Sequence, residues 1–189
     1  MSVHAAPPLP WVPFASTPAQ RPTGAAEVAW TPSVPLVLDT NIALDLFVFV
    51  DPATAPLRAA IDGATHRWLA TEAMRDELAH VLAYPQIVKR LLARSLPAGA
   101  VLDAFDQRVC TVPVAAKAAC TCKDPDDQKF IDLAAAHRAT LLSKDVHVLS
   151  MTKRLARLGV AVSRHWVPSG AALAQAVMAE PPHGVSVAR

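Results

Sequence analysis

The chain has 189 residues, 52% hydrophobic and 18% charged, enough for one domain with chain to spare and too apolar for global disorder, since burial can offset the entropy of ordering the backbone. Its formal charge of +2, from 18 basic and 16 acidic residues, excludes a protein that grips a polyanion mainly through a broad basic surface; such a partner needs a local device. The longest apolar stretches, 42–50 and 171–179, fall short of the ~20 nearly uncharged residues of a membrane span, and the start lacks a basic secretory leader, so the expectation is a cytoplasmic protein with no membrane contact.

Eight of the 17 prolines fall in residues 1–35, where Arg21 and Glu27 are the only Lys, Arg, Asp or Glu side chains. Residues 1–34 are therefore read as an extended proline-rich tail, with Trp11, Phe14 and Trp30 as its docking groups. Pro35-Leu-Val-Leu-Asp39 is a short apolar run stopped by a polar residue, which predicts a strand buried on both faces. Helices are predicted over 42–49 and 55–62, and a strand over Arg67–Ala70. Thr71 caps a helix that runs to about Ala83, where Pro85 ends it. Helices over 86–94 and 97–107 lead to a third strand, Arg108–Val112, and a loop containing Cys120–Pro125. An amphipathic helix follows over Asp126–Arg138, then a strand over Thr140–Ser143, a helix over 149–158 and a last strand over Val160–Ser163. Strands alternating with helices predict an α/β protein of three layers, α/β/α, with a mostly parallel sheet over residues 35–167. Residues 168–189 supply one apolar helix, Ala171–Ala179, and a loose end. Cys110, Cys120 and Cys122 are odd in number and lack a zinc-like pattern, so they are read as free thiols.

In an open parallel sheet, ligands bind beyond the carboxyl ends of the strands. Two aspartates fall there: Asp39 closes Leu36-Val-Leu38, and Asp145 follows Leu141-Leu-Ser-Lys144. Either one alone could serve only as a helix cap. On the helix after Thr71, Met74, Leu78, Val81 and Leu82 form the buried stripe and Glu77 lies on or beside it, whereas Glu72, Asp76 and His80 share the wet side. The plainer reading of Glu77 is a packed stem with a carboxylate reaching water. Asp127 precedes Phe130, Ile131 and Ala134 at helical spacing, which turns it inward at the first turn. Asp132 is assigned to solvent, and Asp124 and Asp126 to turn and cap roles, with Asp124 near enough in sequence to assist. Asp45, an acid within an apolar run, fits either an outward turn or the site.

Four carboxylates converging at one end of a sheet would repel one another unless compensated. A divalent cation compensates them, and oxygen-only ligands favour Mg²⁺ or Mn²⁺ over zinc. Such an ion also bridges an acidic pocket to a phosphate, which points to hydrolysis of a phosphodiester through metal-assisted water attack.

Val37-Leu-Asp-Thr-Asn41, Asp76-Glu-Leu-Ala-His-Val-Leu82, Cys122-Lys-Asp-Pro-Asp-Asp-Gln-Lys-Phe130 and Leu141-Leu-Ser-Lys-Asp145, in this order over about residues 35–166, resemble the PIN domain, in particular the bacterial group of toxin–antitoxin toxins. The resemblance implies an endoribonuclease that uses Mg²⁺ or Mn²⁺ and leaves 5′-phosphate and 3′-hydroxyl ends. It carries over Asp39, Glu77, Asp127 and Asp145 as the catalytic and metal-holding acids, with Asn41 and Ser143 as polar residues that orient them. Ser143 stands where the family often has Thr and keeps the hydroxyl. The resemblance further implies an RNA substrate, a homodimer and an antitoxin that covers the site; it does not extend to the tail. Lys123, Lys129 and Lys144, with Lys153, Arg154 and Arg157 on a later segment, are candidates for phosphate contacts, against the plainer reading of solvated surface charge.

Two competing readings are set against this one. An aspartyl phosphatase nucleophile at Asp39 would need a second Asp two residues on, where Asn41 stands. A non-catalytic PIN-like module for RNA or protein binding would tolerate loss of one or more acids, and all four are present.

Overall fold

A computed structural model of the chain describes residues 34–166. The proline-rich tail and the 171–179 helix lie outside the described residues. The first element, β1 (Val34–Leu38), is the expected apolar strand: Leu36 and Val37 are both fully buried. Successive strand residues face opposite sides of a sheet, so both faces of β1 are covered.

Along the chain follow α1 (Thr40–Leu44), α2 (Ala55–Asp62), β2 (His66–Ala70), α3 (Glu72–Leu82), α4 (Pro85–Ala93), α5 (Ala98–Asp106), β3 (Val109–Thr111), α6 (Gln128–His137), β4 (Thr140–Leu142), α7 (Val146–Leu149), α8 (Thr152–Ala156) and β5 (Val162–Ser163). The five strands form one all-parallel sheet in the order β3-β2-β1-β4-β5, within three α/β/α layers. The chain builds outward from β1 through β2 to β3, then crosses back to β4 on the other side. The strand order therefore reverses at β1, and the carboxyl ends of β1 and β4 bound the crevice where such sheets place ligands. No helix among the described residues is long and apolar enough to cross a membrane.

The core lies around β1, β2 and β4. Trp68 is buried edge-on against Phe105, ring centroids 5.0 Å apart, and stacked with Phe47 at 6.0 Å. Phe130, Ile131, Leu133 and Ala134 of α6 pack on the other elements with almost no exposure, which gives α6 the inward face its spacing predicts.

Two elements differ from the sequence expectation. The helix over 42–49 is α-helical only to Leu44 and continues as a widened π turn, Asp45–Phe49, which ends at Val50 in the left-handed region (φ 50°). Arginines cap its loosened backbone: Arg94 Nη1 donates to the Val48 carbonyl oxygen at 2.7 Å, and the Arg58 guanidinium donates to that of Leu46. Of the helix expected over 149–158, only α8 forms, and the short α7 ends at Leu149 before it. Ser150 Oγ and Thr152 Oγ1 each donate to a carbonyl three residues back, at 2.7 Å, and such side-chain bonds compete with a continuous ladder.

The core assignment has a direct test. Leu141→Ala, in the middle of β4, lowers the unfolding free energy in urea by about 3 kcal/mol; Leu92→Ala, at a position 74% exposed on α4, changes it by less than about 0.5 kcal/mol.

Candidate active site

Asp39 follows β1 directly and is only 3% exposed. One carboxylate oxygen, Oδ1, accepts from the Asn41 backbone N–H at 3.3 Å and so starts α1; the other, Oδ2, accepts from the Ser143 hydroxyl at 2.6 Å. The cap and the site are thus the same carboxylate. Ser143 closes β4 and is fully buried, and its Oγ also accepts from the Asp145 N–H at 3.0 Å. Asp145 in turn caps α7, its Oδ1 accepting from the His147 N–H at 2.6 Å. Ser143 therefore links the first and last acids of the set across two neighbouring strands.

Glu77, on α3, is half-buried. Its Oε1 accepts from Thr40 Oγ1 at 2.9 Å, while Oε2 makes no hydrogen bond and sits 2.5 Å from Lys129 Nζ. Asp127 stands at the entry to α6 and, unlike Asp39 and Asp145, makes no side-chain cap bond. Its Oδ2 has the Cys122 thiol at 4.0 Å. Asp124 forms an Asx turn instead, accepting from the Asp126 N–H at 2.9 Å.

These acids act on one another electrostatically. Burial raises the Asp39 carboxyl above the ordinary range; the Ser143 hydroxyl and the Asn41 N–H draw it back, and the charges of Glu77 and Asp145 push it up again. Burial also comes first for Asp127, followed by the charges of Asp145, Asp39 and Asp124 and a hydrogen bond with Asp145, which together push it up to about 7. Asp39 thus feels Glu77 and Asp145, and Asp127 feels Asp145 and Asp39. As they stand, no three His, Cys, Asp or Glu side chains among the described residues are gathered into a metal-holding group. The donor set still suits a hard divalent cation: it is all oxygen, the neighbouring acids raise the proton affinity of Asp39 and Asp127, and Glu77 Oε2, with no hydrogen bond assigned to it, already attracts a cation, the Lys129 ammonium.

Asp127 reaches this end because the irregular segment 112–127 is pinned to α6. Gln128 Oε1 accepts from the Cys122 N–H at 2.8 Å, Gln128 Nε2 donates to the Cys120 carbonyl at 3.1 Å, and Asp132 Oδ1 accepts from the Ala118 N–H at 2.8 Å. Asp132 is therefore a loop anchor and not a solvated acid.

Three other expectations also change. Asn41 acts through its backbone N–H, and its side chain is exposed. Lys129 and Lys144 are neither free for phosphate nor merely solvated: Lys129 pairs with Glu77, and Lys144 Nζ lies 2.5 Å from Asp45 Oδ2 and 3.7 Å from Asp51 Oδ2. Asp45, whose side chain is 12% exposed, faces that lysine one turn after Asn41. Thr40, which holds Glu77, carried no assignment from the sequence; its place directly after Asp39 was the available signal. The three cysteines are free.

A comparison with protein-family models agrees with this architecture. A family model described as PIN domain matches residues 35–147. No curated protein matches the chain. Among solved structures, that of VapBC2 from Rickettsia felis bound to a DNA fragment from their promoter superposes with a TM-score of 0.49 and 14% identity, covering 69% of this chain and 98% of that one.

The raised Asp127 has a sign that can be worked out. Its proton is held more tightly in the folded chain than in the unfolded one, so its contribution to stability is complete below about pH 4 and is lost as pH rises through about 7. In EDTA, Asp127→Asn has a flatter profile of melting temperature against pH than the parent and melts higher above pH 7. A lower melting temperature there would contradict the assigned repulsion.

The Lys144–Asp45 pair gives a second test. Lys144→Met strands a buried acid and costs about 2–3 kcal/mol in urea unfolding, less than a fully buried pair because the lysine is one-third exposed. Adding Asp45→Asn recovers most of the loss.

Proposed function

The chain belongs to the PIN-domain family, and from that premise we propose that it is a metal-dependent endoribonuclease acting as the toxin of a toxin–antitoxin pair. The observation that supports the reading is the bond of Ser143 to both Asp39 and the Asp145 backbone, with the charges of Glu77 and Asp145 acting on Asp39 and those of Asp145 and Asp39 acting on Asp127. These four acids would hold Mg²⁺ or Mn²⁺. The ion, when bound, supplies charge neutralisation at the phosphate and a more acidic water.

The chain's own residues set up the rest. Ser143 fixes Asp39 Oδ2 and the backbone of Asp145, so that two acids on adjacent strands keep a constant separation. Thr40 orients Glu77. Asp127, whose carboxyl is pushed up to about 7 by burial and by its acidic neighbours in the ion-free chain, would give up that proton in favour of the ion and help orient the attacking water, which loses its proton as it attacks. Water oxygen bonds to phosphorus, the bond to the 3′ oxygen breaks, and the ends are 5′-phosphate and 3′-hydroxyl. The toxin role, an antitoxin partner covering the site and a homodimer come from the motif resemblance, a cytoplasmic setting from the sequence's lack of a secretory leader, and all belong to the same proposal.

Incubated with single-stranded or structured RNA, the full chain cleaves in Mg²⁺ or Mn²⁺ and yields 5′-phosphate ends, and both EDTA and Asp39→Asn remove the products. Cleavage that survives both would eliminate the carboxylate mechanism. RNA binding without cleavage would favour the non-catalytic module.

A further inference from the structure

Lys129 is held from three sides. Its Nζ is 2.5 Å from Glu77 Oε2, it donates to the Asp126 carbonyl oxygen, and it lies 4.9 Å from the centroid of the Phe130 ring. A solvated lysine keeps its rotamer freedom, whereas this one gives it up to place its charge at one point. Glu77 commits Oε1 to Thr40, and Oε2 has no partner of its own except this ammonium.

Resting on the nuclease reading above, we propose that Lys129 is a built-in counter-ion of the acidic end: it holds Glu77 when no divalent ion is bound and must release it for the ion to bind. A divalent cation approaches a carboxylate oxygen to about 2.0–2.1 Å if it is Mg²⁺. The same oxygen cannot also hold an ammonium at 2.5 Å, because the two cations would then repel each other at close range. Binding is therefore an exchange. The apparent ion affinity is reduced by the fraction of molecules in which Glu77 is engaged by Lys129.

Partly exposed pairs of this kind are worth ~0.2–1 kcal/mol, which sets the size of the effect. Mn²⁺ titrated into the full chain by calorimetry, without RNA, binds Lys129→Met about two- to fivefold more tightly than the parent, with Lys129→Gln behaving alike and Lys129→Arg close to the parent. The ratio falls toward one in high salt, where exposed charges are screened; a purely structural lysine would not show this. Equal or weaker binding by Lys129→Met and Lys129→Gln overturns the exchange. Asp39→Asn separates the two levels: if the parent binds no Mn²⁺, or binds it no better than Asp39→Asn, the nuclease reading itself fails, whatever Lys129 does.

Discussion

A carboxylate almost sealed from water at the end of a central strand must be satisfied from within the protein, because desolvated charge without hydrogen bonds is among the costliest things a fold can contain. Asp39 meets that requirement through Ser143 and the Asn41 N–H. The rest of the site follows from this arrangement. The bond to Ser143 crosses from β1 to β4, so it forms only when those strands are in register, which also sets where Asp145 begins its helix. The reversal of strand order at β1 supplies the crevice, and the two caps aim acidic groups into it.

Charge balance explains the side chains around that crevice. A chain with a net charge near neutrality has no broad excess of cations to spread around its acids, so it pairs individual lysines with individual acids. Lys129 takes Glu77, and Lys144 takes Asp45 and Asp51. Where no lysine reaches, a proton serves: Asp127 sits beside Asp145 and Asp39 and holds its proton toward neutral pH. Ammonium, proton and hydroxyl are three answers to the same repulsion.

Much of this was legible in the sequence. The strands show as short apolar runs, and because β1 is buried on both faces its run is unbroken. The two strand-end aspartates stand out because a polar residue stops each run. Glu77 and Asp127 show as acids on apolar helical faces. What could not be read has two causes: some of it depends on contacts between segments apart in the chain, and some on local backbone bonding. Asp132 carries the spacing of a solvated face, yet it meets Ala118 from a loop with no periodicity. Asp45 looked ambiguous because its partner is nearly a hundred positions away. The π turn and the break between α7 and α8 are backbone events that hydrophobic spacing does not encode.

The pinning of segment 112–127 by Gln128 joins two things usually thought of separately. Gln128 lies between Asp127 and Lys129, and its amide is the hook for Cys120 and Cys122. Peeling that segment away would unhook the start of α6 and displace both an acid and a cation of the crevice together. The loop and the acidic end thus make one cooperative unit, so a local opening would switch the whole constellation off at once instead of wearing it away residue by residue.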